Sequence, residues 1–346
     1  MNTFFFHRDE FNYYYNCSLY DVDFVPVEKR RRIGFGIVYI SLFVFLELLY
    51  APVLYVLFTS KKFASSSYRI MLLLGIVDSL EIVVVGLFTG YLAITGTVYC
   101  SNQLLSHICG SFGTGLWFME EYIALLLAFN RCTVMYSSKL ANTLFNSNHR
   151  VYYWMAGAVG MGLLQSWFVN PTMYNPISGF YLFNPHFGYI NYIEYFDGMI
   201  DIILQGSLNL AFVAIYVIFG LLLWVQRRSQ SGELRRISRS DRNIFLQVFT
   251  ISVLVVIVGI GLIYMQIGAE KEAYSLVVSV LMPTYLGCPA MIYLTANKTM
   301  RSEILTKLKL GHFGAIAPWR STSHSSHVID GTVTHKRNPT STGRTE

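Results

Sequence analysis

Seven stretches of continuously apolar residues dominate this chain. Each is long enough to cross about 30 Å of hydrocarbon at about 1.5 Å per residue. They run Ile33 to Phe58, Tyr68 to Ile94, Leu104 to Tyr136, Val151 to Asn170, Gly198 to Val225, Ile244 to Ile267 and Tyr274 to Ala296. In lipid the backbone has no water to bond, so only helices and closed barrels can span. A barrel would show short alternating segments, which are not seen here. The spacing therefore predicts an all-α membrane protein, a bundle of seven transmembrane helices without strands. Only 13% of the 346 residues are charged, against about 25% in a soluble domain.

Orientation follows from the basic residues in alternate connections. One set of connections, with the C-terminus, holds twenty of the 26 Lys and Arg; the other set, with the N-terminus, holds six. The C-terminus is thus expected inside and the N-terminus outside. The run Lys29-Arg30-Arg31-Arg32 opposes this locally, but the sum over the other connections outweighs it. The early charges Arg8, Asp9 and Glu10 argue against a cleaved leader, so the first span is expected to serve as its own targeting signal. The sequon Asn16-Cys17-Ser18 marks Asn16 as a glycosylation candidate on the outer side.

The expected organisation is an outer tail over 1–32, a bundle over 33–296, a short amphipathic helix over 297–310 and a disordered inner tail over 311–346. The amphipathic helix carries Met300, Ile304, Leu305 and Leu308 at helical spacing among basic residues, a pattern suited to the anionic inner leaflet. The net charge of +6 is spread over short loops and does not make a nucleic-acid surface.

Charge inside a bilayer is costly and needs a reason. The candidates are Glu47, Asp78, Glu81, Glu120, Glu121 and Asp201, all acidic. Glu120 and Arg131 are eleven residues apart, which places them about 20° apart on one helical face and about 16 Å apart along the axis. Gly113 continues that face and Trp117 lies near it, whereas Glu121 points about 80° away. Glu120, Trp117, Gly113 and Glu81 are the ligand-pocket candidates. All eight histidines lie in tails, loops or span ends, so no catalytic metal cluster is expected, nor any cofactor. The seventh span has no lysine between Lys271 and Lys298 for a retinal Schiff base. The basic inner loop contains Arg235-Arg236-Ile237-Ser238, making Ser238 a phosphorylation candidate.

These patterns together resemble the serpentine chemoreceptors of nematode class T, within the seven-transmembrane G-protein-coupled receptors. The resemblance rests on Glu47-Leu48-Leu49-Tyr50-Ala51-Pro52 in the first span and Ile70 to Asp78 in the second. It continues with Asn130-Arg131-Cys132 at the inner end of the third and Cys288-Pro289-Ala290-Met291-Ile292-Tyr293 in the seventh. It covers roughly Tyr14 to Leu310 and implies a signalling switch built from Asn130, Arg131, Cys132, Asp78, Pro289 and Tyr293. The departures are that Asn130 stands where the wider family has an acid and Cys288 where it has asparagine. Tyr293 lies one residue further from the proline than usual. The loop Pro171 to Asp197 has no cysteine, so an outer bridge would join two of Cys17, Cys100 and Cys109.

The resemblance implies a non-enzymatic chemosensory receptor of the plasma membrane, placed in sensory cilia. It would bind a small-molecule ligand in the outer half of the bundle and activate a heterotrimeric G protein. Membrane lipid would surround it, and a kinase and arrestin would act at its C-terminal tail. The aromatic loop Pro171 to Asp197, free of Lys and Arg, points to an apolar ligand. The alternative is a seven-helix transporter or ligand-gated channel using the intramembrane carboxylates; the chain shows no internal repeat and no paired broken helices to favour it.

Overall fold

The computed structural model describes residues 2–146, 149–190, 194–196, 198–229, 239–266 and 272–308. Seven long helices form the bundle. They are α1 (Ile33–Thr59), α2 (Ser66–Thr95), α3 (Gln103–Tyr136), α4 (Arg150–Phe168), α5 (Met199–Ser229), α6 (Arg239–Gln266) and α7 (Glu272–Ala296). A short α8 follows at Lys298–Lys307. By length and composition α1, α2, α3, α5 and α6 can each cross a membrane. Leu48, Phe58, Leu164, Phe168, Ile203 and Leu210 are more than half exposed, the arrangement expected of a surface solvated by lipid tails rather than water.

The centre of the bundle is α3, which buries residues along its whole length from Ser106 to Thr133. Between helices in lipid there is little hydrophobic drive, so association depends on close packing and hydrogen bonds. Small residues supply the packing. A Cβ on Gly36 of α1 would lie 2.7 Å from the Gly90 carbonyl of α2, and one on Gly90 would lie 2.9 Å from the Gly36 carbonyl. A Cβ on Gly162 of α4 would sit 2.6 Å from the Met119 backbone nitrogen of α3. No larger residue fits these crossings unless the helices separate.

The hydrogen bonds come from the few polar side chains. Ser79 of α2 donates to both carboxylate oxygens of Glu47 on α1, at 2.9 and 2.8 Å. Within α2 the backbone widens into a π-turn over Val83–Phe88, and Thr89 Oγ1 donates to the Val84 carbonyl at 3.1 Å. Such turns insert an extra residue into the helical register.

The expectation of a fold without strands is corrected in one place. Outside the spans, β1 (Met173–Asn175) pairs antiparallel with β2 (Phe180–Leu182) in the loop between α4 and α5. Asn175 Oδ1 accepts from the Ile177 N–H at 2.8 Å and closes the turn. A loop outside the hydrocarbon escapes the rule that bars open strand edges from lipid.

That hairpin also accounts for the basic run at the start of α1. Arg32 Nε donates to the Pro176 carbonyl at 2.7 Å and Arg32 Nη2 to the Ile177 carbonyl at 2.6 Å. Arg30 pairs with Asp23 at 3.1 Å and donates to Ser101 Oγ at 3.3 Å. Two of the four charges are thus consumed by structure at the end assigned to the outside.

At the same end, residues 2–24 fold across the helix tips. Phe4, Phe11 and Tyr15 surround the imidazole of His107 on α3, with ring centroids 5.1, 5.1 and 5.3 Å away. Cys17 and Cys100 form a disulfide, while Cys109 is free. His186 of the hairpin loop is fully buried beneath this segment. At the opposite end, Asn297 caps α8 by accepting from the Met300 N–H at 3.1 Å. Glu303 of α8 takes hydrogen bonds from Ser60 Oγ at 2.8 Å and Lys62 Nζ at 2.5 Å, tying the helix to the α1–α2 turn. Met300 and Ile304 are buried, while Leu305 and Leu308 are exposed. The inner loop with Ser238 and the tail beyond 308 lie outside the described residues.

Candidate functional site

A cavity of about 70 Å³ opens in the disulfide-bearing half of the bundle. Its wall is drawn from α2 (Glu81, Val84, Val85), α3 (Gly110, Gly113, Thr114, Trp117, Phe118), the hairpin (Phe180, Tyr181) and α5 (Asp201, Gln205). Thr172 just before β1, Leu262 of α6 and Met282 of α7 complete it. Three of the four pocket candidates from the sequence, Gly113, Trp117 and Glu81, line this cavity.

Glu120, the fourth, lies deeper, beside Tyr285 of α7 and within electrostatic reach of Asp78 and Glu81. Its neighbour Glu121 is fully buried and accepts a hydrogen bond from Gln205 Nε2. Gln205 Oε1 in turn accepts from Trp117 Nε1 at 3.1 Å. The chain Trp117–Gln205–Glu121 thus fixes the indole against α5. A helical wheel puts Glu121 off the Glu120 face, but a helix in the centre of a bundle has neighbours on every side. Nothing in the sequence marks Gln205 as its partner.

Glu81 has the more unusual surroundings. It is fully buried, and neither carboxylate oxygen has a hydrogen-bond partner. Its electrostatic neighbours are Glu120, Asp78 and Glu121, all acidic. Among the residues lining the cavity there is no Lys, Arg or His.

Below the cavity, the single phenolic proton of Tyr50 on α1 is shared between Asp78 Oδ2 on α2, at 2.6 Å, and the Leu286 carbonyl on α7, at 2.7 Å. Pro289 lacks an N–H and cannot bond the carbonyl four residues earlier, which loosens the ladder of α7 in this turn. The Tyr50 hydroxyl enters there.

At the other end of α3, Asn130 accepts from Ser67 Oγ and donates to Ser66 Oγ at 3.3 Å, binding α3 to the first turn of α2. Arg131 is 5% exposed, and its guanidinium lies 5.9 Å from the centre of the Tyr68 ring. Tyr293 is buried within electrostatic reach of both Arg131 and Asp78. Cys132 is buried on α3. Of the six residues expected to form a switch, Asp78, Tyr293 and Arg131 lie within electrostatic reach along one line, whereas Asn130 faces Ser66 and Ser67 of α2 and Cys132 lies within reach of Tyr216 on α5. Asn16, the sequon residue, is half-buried and accepts from the Ser18 N–H and Oγ at 2.9 and 2.8 Å.

Comparison with known proteins bears on the family and the fold. Residues 1–314 match the family described as "Serpentine type 7TM GPCR chemoreceptor Srt". The chain is 28% identical over 288 residues to Serpentine receptor class T-55 of Caenorhabditis elegans, covering 81% of this chain and 76% of that one. Its fold is similar to the crystal structure of squid rhodopsin, with a TM-score of 0.58 at 13% identity, over 80% of this chain and 87% of the other.

Proposed function

Because this chain belongs to the class T family of serpentine chemoreceptors, seven-transmembrane G-protein-coupled receptors, we propose that it is a chemosensory receptor of the plasma membrane, carried in sensory cilia. It binds a small ligand in the cavity bounded by Glu81, Gly113, Trp117 and the hairpin, and it activates a heterotrimeric G protein at the opposite end of the bundle.

One observation carries this reading: the cavity and the buried arginine share a single uninterrupted helix. Trp117 and Arg131 both lie on α3, fourteen residues and about 21 Å apart. Ligand binding biases two packings of the bundle by its difference in affinity for them, and no more than that difference. In the signalling packing, Arg131 leaves Tyr68 as the inner ends of α3 and α6 separate and a G-protein segment enters. Asn130, Cys132, Asp78, Pro289 and Tyr293 form the rest of that switch. Ser238 and the C-terminal tail are the sites where a kinase and then arrestin would end the signal, and Asn16 would carry an outer glycan.

The test is Arg131→Ala in a cell that responds to an odorant through a promiscuous G protein. At equal surface expression the response should fall at least tenfold. An undiminished response overturns the role given to Arg131.

A further inference from the structure

An apolar ligand would satisfy only part of this cavity. Trp117, Phe118, Phe180 and Tyr181 make an aromatic wall, yet Glu81 stands in the same wall with both oxygens unpartnered and no exposure to solvent. A buried carboxyl without a partner is expensive, and a hydrocarbon or an anion placed beside it leaves that expense in place. Three further carboxyls, Asp78, Glu120 and Glu121, lie within electrostatic reach of Glu81. No Lys, Arg or His lines the cavity beside Glu81. The wall has what an organic cation uses: a carboxylate for the charge and aromatic faces around it. The volume of about 70 Å³ holds about five water-sized groups, which limits the guest to a few non-hydrogen atoms.

We infer that the cavity binds a small organic amine as its ammonium ion, with Glu81 as the counter-ion and Trp117, Phe118, Phe180 and Tyr181 enclosing its carbon skeleton. This names the ligand class for the receptor reading above and rests on that reading for signalling, though its binding test does not.

The full-length protein in lipid nanodiscs is unfolded thermally at fixed pH with n-butylamine, 1-butanol or butyrate. A ligand that binds the folded state raises the midpoint by an amount that grows with the logarithm of its concentration relative to its dissociation constant. Butylamine should raise it while butanol and butyrate do not. Glu81→Gln should weaken the butylamine effect at least tenfold, and Glu81→Asp should retain part of it. If Glu81→Gln fails to fold, the wild-type series decides alone. The inference is overturned by equal shifts from butanol and butylamine, by an unchanged butylamine shift in Glu81→Gln, or by no shift from butylamine, propylamine or isobutylamine. A G-protein response to a neutral odorant, without amine binding, overturns the amine and leaves the receptor standing. Amine binding with no G-protein response to any amine does the reverse.

Discussion

Tyr50 holds α1, α2 and α7 together through one hydroxyl, 2.6 Å from Asp78 and 2.7 Å from the Leu286 carbonyl. All three groups are out of reach of water, so the loss of the phenol cannot be made good by solvent. Tyr50→Phe should lower stability by about 1–3 kcal/mol, read as a fall in the thermal midpoint in nanodiscs. The double variant Tyr50→Phe/Asp78→Asn should cost less than the sum of its parts, because the two residues share one bond. Strict additivity would mean that the bond contributes nothing.

Asn130 offers a similar test at the inner end. Alanine there leaves Ser66 and Ser67, both buried, without the partner that joins α2 to α3. The expected cost is about 1–3 kcal/mol, accompanied by faster hydrogen exchange in the first turn of α2. Unchanged exchange would show that Asn130 does not anchor that turn.

The Cys17–Cys100 disulfide closes a loop containing α1 and α2 and pins the N-terminal segment over the helix tips. Because the bilayer already confines both helices in the unfolded state, Cys17→Ser should cost about 2 kcal/mol, at the low end for a loop this long. The visible consequence is local: protease should cleave between Met1 and Asp23 much faster in the variant while the bundle stays intact. Equal cleavage rates would contradict the tether.

His186 predicts a pH dependence. Its Nε2 faces the Tyr14 carbonyl at 2.8 Å and so carries the hydrogen, which leaves Nδ1 to accept from the Tyr20 hydroxyl at 2.7 Å. Burial holds its pKa below the ordinary histidine value. The other groups around it are Tyr99 and the disulfide sulfur of Cys100, neither of which charges in this range. The unfolded segment therefore takes a proton first as pH falls. The cover is fully stable above about pH 6.5 and weakens below it. Hydrogen exchange over residues 14–20, corrected for its intrinsic pH dependence, should rise between pH 7.5 and 5. His186→Gln should flatten that rise.

Much of the fold was legible because hydropathy is a long, redundant signal. The span expected from Leu104 to Tyr136 is α3 from Gln103 to Tyr136, and that from Tyr274 to Ala296 is α7 from Glu272 to Ala296. The site was less legible because it depends on single residues. Glu120 was reachable from its spacing to Arg131, but its contact with Tyr285 of α7 depends on how two helices far apart in sequence pack together. The position of Glu81 depends on α2, whose π-turn begins two residues later and leaves no trace in apolar periodicity. The partnership of Gln205 with Glu121 and Trp117 spans more than eighty residues of sequence. The run from Lys29 to Arg32 opposed the sum of the other connections because charge counting cannot tell a topology signal from side chains such as Arg30 and Arg32 that are already bonded to the outer segments.

The glycine crossings bear on how such a bundle can move. Backbones that touch through Gly36 and Gly90, and through Gly162 and Met119, interlock like meshed teeth, so α1 cannot slide past α2, nor α4 past α3, without first lifting away. A transition that keeps both meshes moves α1 with α2 and α3 with α4. The flanks of α5 and α6 at Val217, Leu221, Ile257 and Ile260 face outward instead, where fluid hydrocarbon offers little resistance to movement.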